Sequence, residues 1–151
     1  MLAAMEQSAV TYRVRDKLIV GSVVRTSMGV GVEVNPRRLS IKSQAEEIAA
    51  AIDCALEGAG GVITHPAQDQ WKGLFKPFLQ AAGVRSYKAF MEEAISVEIT
   101  RRGELLELNP QRNLGGNGGF APIRSETVVL PASDLMAAAF ALKSFLNRNG
   151  S

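Results

Sequence analysis

One cysteine and one histidine, Cys54 and His65, are the residues of this 151-residue chain best suited to nucleophilic catalysis or metal binding. A structural zinc site needs four such ligands, so a cysteine/histidine cluster is excluded by count. As a nucleophile, Cys54 would sit among Glu47, Asp53 and Glu57, whose charges disfavour a thiolate. His65 precedes Pro66 in a loop, so the pair reads as an unreactive thiol and a loop histidine. No EF-hand pattern arranges carboxylates for calcium. No catalytic residue, metal or cofactor is therefore expected, and the chain does not read as an enzyme.

Three other groupings carry potential for binding. Gly116-Asn-Gly-Gly-Phe-Ala121 matches G-x-G-x-x-A, but a dinucleotide fingerprint needs a helix to start there. Pro122 and a β-rich Thr127-Val-Val-Leu130 follow instead, so the segment reads as a loop between strands, with Asn117, Phe120 and Arg124 as candidate contact residues. The doublets Arg37-Arg38 and Arg101-Arg102 flank turns, and a nucleic-acid site would want a denser basic patch with exposed aromatics. The third grouping is acidic. Residues 43–71 hold five acids and no Lys or Arg, whereas surface helices normally mix signs. Glu46, Asp53 and Glu57 would form an acidic helix face able to attract a basic partner.

The elements that must position these residues follow from hydrophobic period. Val10–Arg15, Leu18–Thr26, Val30–Val34 and Leu39–Ile41 alternate or are rich in Val and Ile, which predicts strands. Gly21, Gly29 and Gly31 suggest a bulge or a close backbone approach. Ser43-x-x-Glu46 forms a capping box for a first helix with Ala45, Ile48, Ile52, Ala55, Leu56 and Ala59 inward. A second helix, capped by Asp69 and closed by Gly83, carries the stripe Trp71, Leu74, Phe75, Phe78, Leu79, with Trp71 as a core anchor. Pro77 demands a kink or two short helices there. A short helix follows from Ser86, then a hairpin turning at Gly103, with Pro110 and Pro131 closing strands. Ser133 or Asp134 caps a last helix with Leu135, Met136, Ala139, Phe140, Leu142 and Leu146 as its apolar face. The order predicts a single α+β domain over 1–151, a largely antiparallel sheet packed with three to four helices, and a flexible terminus over 1–9.

Composition fits that size and class. An apolar fraction of 46% and a charged fraction of 21% are those of an ordinary globular chain, and a chain this long buries about 68–70% of its unfolded surface. No apolar run approaches the roughly 20 residues of a membrane span. Met1–Ser8 has neither a basic region nor a long apolar stretch, so no secretory signal is read, and one cysteine suits a reducing cytoplasm. The net charge of +2 divides into +4 over residues 1–42, −5 over 43–71 and +3 over 72–151.

Gly29-Val-Gly-Val-Glu-Val-Asn-Pro36, Ser86–Ile99 and Thr127–Leu146 together resemble the CdiI-type immunity proteins of contact-dependent growth inhibition systems. That family also places a helix before a hairpin and a V-V-(L/I)-P-A strand before an alanine-rich last helix. The resemblance implies a cytoplasmic protein that binds and blocks a cognate toxin domain, typically a nuclease, stoichiometrically and without catalysis. The resemblance does not locate the interface; the acidic face with Glu46, Asp53 and Glu57, and the glycine loop with Asn117, Phe120 and Arg124, are the toxin contacts expected from the residues themselves. Some immunity proteins of these systems have folds similar to Whirly single-stranded nucleic-acid-binding domains, and such a nucleic-acid module is the alternative reading. The arginine doublets would then be its phosphate contacts.

Overall fold

β1 (Gln7–Val14) occupies the middle of the sheet, paired antiparallel with β2 (Lys17–Thr26) on one side and β5 (Ile95–Arg102) on the other. The computed structural model describes residues 6–148 and gives them one α+β domain of eight strands and four helices. Strand order is β3-β2-β1-β5-β6-β7, where β3 spans Gly31–Ser40, β6 Leu105–Asn113 and β7 Phe120–Pro122. The sheet is largely antiparallel; the short β4 (Val62–Ile63) adds to β2 in parallel. β8 (Val128–Pro131) pairs with the first half of β6, and β7 with its last three residues.

Alternation along β1 sends Ala9 and Thr11 to one face and Val10, Tyr12 and Val14 to the other. The first face packs against the long helices α1 (Ala45–Glu57) and α4 (Leu135–Arg148), with Ile48, Ile52, Leu56, Leu142 and Leu146 fully buried. The second packs against α2 (Lys76–Ala82) and α3 (Tyr87–Glu93), around Phe78 and Phe90. Two cores thus share one sheet.

The sequence expectations meet this architecture unevenly. Gln7, Ser8 and Ala9, expected in a flexible terminus, open β1; Ser8 pairs with Val23 and Thr100, and its hydroxyl lies 3.1 Å from that of Thr100. Residues 1–5 of that expected terminus lie outside the described residues. β3 runs straight through Asn35-Pro36, because Gly21 faces a bulge there and Asn35 takes φ +55°. Pro36 needs no partner on an edge strand at a bulge. Pro110 likewise does not close β6: it falls between the stretches bonded to β8 and β7, where its missing N–H leaves no gap in either ladder. Gly103 does turn the hairpin, at φ +57°.

Among the helices, the capping box fails by one residue. Ser43 N–H is taken by the Ser40 carbonyl in the turn leaving β3, so α1 starts after Gln44 without a side-chain cap. Pro77 splits the second helix as expected, into a 3₁₀ turn at Gln68–Gly73 and α2, and Gly83 closes α2 at φ +73°. Asp69 is not the cap; the turn starts after Ala67, whose N–H bonds the Gln70 side chain. Trp71 is half-buried against His65, with ring centroids 5.2 Å apart, rather than a core anchor. Asp134 caps α4 through the Ala137 N–H. Phe140, assigned to the apolar face of α4, is 60% exposed, and Ala138 takes its place in the core.

Gly21 is where the bulge and the second core meet. A Cβ there would stand 2.6 Å from the Phe78 ring and 3.1 Å from the Val34 carbonyl. Phe78 is fully buried and cannot retreat. Gly21→Ala is therefore expected to destabilise the fold by about 1–3 kcal/mol, the usual cost of overpacking. A urea midpoint equal to that of the parent chain would show that the ring has room to move.

Candidate binding site

The expected contact residues fall into two separate places. Glu46 is exposed on the first turn of α1, while Asp53 and Glu57 lie further along it, on the outer side of the first core. Both of the latter are held by Arg101 of β5, at 3.6 Å and 2.9 Å. The acidic helix is thus answered across the sheet, by a residue that spacing along the helix could not reveal. Asn117 is exposed in the turn beyond the end of β6, and Arg124 is exposed after β7, next to Ile123, whose N–H bonds the Pro110 carbonyl of β6. The glycine segment is a tight hairpin rather than a long loop: Leu114 N–H bonds the Gly119 carbonyl, and Asn113 reaches the carbonyls of Met91 and Ala94 on α3. Phe120 follows it, half-buried, with its ring 5.7 Å from Tyr12 on the α2/α3 face.

Cys54 and His65 lie on different elements, the one in α1 and the other after β4. Cys54 is exposed on α1, and the His65 ring lies 2.9 Å from the Thr26 hydroxyl. Among the described residues no group of three or more His, Cys, Asp or Glu side chains could hold a metal ion. Of the arginine doublets, Arg102 is paired with Glu6 and Glu107, at 3.0 Å and 2.6 Å. Arg37 and Arg38 are exposed on the edge strand β3.

The site that spacing did not show lies on the α2/α3 face. The two short helices cover only one end of the sheet, and beyond them a cavity of about 500 Å³ opens. Its floor is Ser8, Val10 and Tyr12 of β1; Glu33 of β3 and Glu98 of β5 stand on either side. Phe75, Tyr87, Phe90 and Phe120 complete an aromatic wall around Tyr12. Glu6, Arg25 and Gly31 form an exposed rim. Neither Glu33 nor Glu98 is among the expected contact residues. The signal that could have flagged Glu98 is that it stands between Val97 and Ile99 on β5, a strand buried from both faces; Glu33, on the edge strand β3, carries no such signal.

The electrostatics of this cavity are strained. The Tyr12 hydroxyl donates to a Glu33 carboxylate oxygen. Burial raises Glu33 above the ordinary carboxyl value of 4.5; the Tyr12 bond opposes the shift and the Glu98 charge adds to it. Burial likewise raises Glu98, against the Thr100 hydroxyl and the Arg25 charge. Burial, then the Glu33 charge, drives the Tyr12 hydroxyl well above its usual range, so it stays a donor. At the rim, the Arg102 bond holds Glu6 below its ordinary value.

No family model and no curated protein matches this chain. Solved structures share its fold, two among them as follows. One is a protein of unknown function from Neisseria meningitidis, with a TM-score of 0.77 and 15% identity, covering 98% of both chains. The other belongs to a CdiA-CT/CdiI toxin and immunity complex from Yersinia pseudotuberculosis, with a TM-score of 0.71 and 11% identity, covering 94% of this chain and 97% of that one. At such identities the likeness is one of fold.

The raised carboxyls make a pH prediction. A carboxyl whose native pKa lies above its unfolded value supports the fold below that unfolded value, near 4.5. Its contribution is lost as pH rises through the native value. Glu98→Gln removes the charge that burial penalises, so thermal stability should rise at about pH 8 and change little at about pH 4. A variant less stable than the parent at both pH values would show that the Glu98 carboxylate is well solvated or paired.

Proposed function

We propose that this chain is an immunity protein, which binds a cognate toxin domain of a contact-dependent growth inhibition system in the cytoplasm and neutralises it one-to-one without catalysis. The observation that carries the reading is the shared fold: nearly the whole chain superposes on a chain from a toxin and immunity complex. The sequence resemblance points the same way from different features, the strand before the last helix and the helix before the hairpin. No helix among the described residues is long and apolar enough to cross a membrane, as a freely diffusing inhibitor requires. A nuclease is the kind of toxin the resemblance implies.

The nucleic-acid alternative draws less support. Phosphate binding needs unpaired basic side chains, and both members of the Arg101-Arg102 doublet already contact carboxylates at 2.9 Å and 2.6 Å. For a protein partner, the α1 face and the glycine hairpin with Asn117, Phe120 and Arg124 are the proposed contacts. Glu46 is the acid on that face best placed to steer a basic toxin, since Asp53 and Glu57 share Arg101.

Co-expression with the toxin domain encoded immediately upstream should restore growth and yield a stoichiometric complex on co-purification. Growth arrest with no co-purification would overturn the reading. Within such a complex, Glu46→Lys should slow association roughly two- to fivefold at low salt, with the difference fading at high salt. An on-rate that ignores both the substitution and the salt would take α1 out of the interface.

A further inference from the structure

The immunity reading gives the sheet-face cavity no task, yet its walls are chemically selective. Tyr12, Phe75, Tyr87, Phe90 and Phe120 surround it, with ring centroids as close as 5.0 Å for Tyr12–Phe90 and 5.6 Å for Phe75–Tyr87. Ring faces carry negative potential and attract cations, more strongly where water is displaced. Glu33 and Glu98 enter from opposite sides, with the strands β2 and β1 between their own. Among the described residues, neither carboxylate lies in an ion pair with a basic side chain. Glu33 is oriented by the Tyr12 hydroxyl, and Glu98 has only a 3.5 Å contact from Thr100. Half-buried carboxylates that no ion pair offsets are costly even with Arg25 acting on Glu98 from the rim, and a protein that needed only a core would place apolar residues there.

We infer that this cavity is a binding site for an organic cation, the guanidinium group of an arginine side chain presented by another protein. Guanidinium suits the walls better than ammonium does. It is planar, weakly hydrated, stacks on aromatic rings and offers five donors to carboxylates on different sides. The volume of about 500 Å³ lies in the range of small-ligand sites, about 300–1,000 Å³. The mouth is exposed at Glu6, Arg25 and Gly31, so a side chain can enter while its main chain stays outside. Among the described residues that line the cavity, Arg25 is the one cation; its guanidinium lies 3.4 Å from the Gly29 carbonyl. Its charge opposes the ligand, which makes it a gauge of the ligand's sign.

The test titrates the protein alone with N-acetyl-arginine amide and follows the tyrosine and phenylalanine ring signals by NMR. The neutral citrulline analogue and free arginine are the comparisons. The arginine amide should bind saturably and move the signals of Tyr12, Phe90 and Phe120 while leaving Trp71, which is outside the cavity, in place. The citrulline analogue should not bind. Glu33→Gln and Glu98→Gln should each weaken binding on the order of tenfold, as loss of a charge-assisted bond does. The glutamine at 33 still accepts from Tyr12, so the fold survives. Arg25→Gln, on the exposed rim, should tighten binding. Absent or non-saturating shifts, equal binding of the citrulline analogue, or loss of binding in Arg25→Gln would overturn the inference. Free arginine binding more tightly than the blocked amide would make the ligand a metabolite and overturn the protein source. No toxin enters the titration, so its outcome is independent of the immunity reading.

Discussion

The structure depends on burying β1 from both sides. A strand in mid-sheet with an apolar cluster on each face has nowhere to send a polar group except to another protein group. Thr11, fully buried, donates to the Val97 carbonyl at 2.7 Å, and the buried Ser96 hydroxyl donates back to the Thr11 carbonyl at 2.9 Å. On the next strand Ser22 donates to Ala55 of α1 at 2.7 Å. These bonds tie the sheet to itself and to α1, and they let small polar residues occupy positions that would otherwise have to be apolar. Each contributes about 1 kcal/mol when made and costs more when broken.

The two faces are covered unequally, and the cavity follows from that inequality. α1 and α4, 13 and 14 residues long, span the first face. α2 and α3 have seven residues each and cover one end of the second. A seven-residue helix is about 10 Å long, too short to cross a sheet six strands wide at about 4.8 Å per strand. The aromatic rings fill the covered end, and the sheet's own side chains line the rest. Tyr12 stands at the boundary, its ring in the second core and its hydroxyl on Glu33. One residue therefore both closes the core and orients a carboxylate of the cavity. Burying two carboxyls there is a stability cost, and such costs cluster at functional sites.

Much of this was legible in the residues. Period and turn chemistry located the longer strands, the hairpin at Gly103, the division of the helix at Pro77 and both long helices, because those signals are local; β4 and β7, of two and three residues, are too short to show a period. The misreadings came from neighbours distant in sequence. Gln7 and Ser8 look like a polar terminus, but strands on both sides recruit them. Pro36 and Pro110 look like strand ends, yet each falls where its missing donor has no partner to lose. The acidic face of α1 looked unanswered because its counter-charge, Arg101, is 44 residues from Glu57. The cavity could not be seen at all, since Glu33 and Glu98 are 65 positions apart and meet only through strand order.

That strand order also constrains any partner. The α1 face and the aromatic cavity lie on opposite sides of one sheet, so a compact partner docked flat on α1 leaves the cavity open. Phe120 belongs with the cavity by its contact with Tyr12, whereas Glu46 belongs with α1. The glycine hairpin at the end of β6 is the element best placed to touch a partner on the cavity side, being anchored to α3 through Asn113 and followed at once by Phe120. A partner approaching there meets carboxylates set among rings, a surface that rewards a buried cation. A partner approaching α1 meets the exposed Glu46 and, beyond it, Asp53 and Glu57 already engaged by Arg101, a surface that steers more than it holds. If one toxin uses this chain for tight inhibition, the physics favours the side where desolvated charge and aromatic area coincide, because hot spots form where water is excluded.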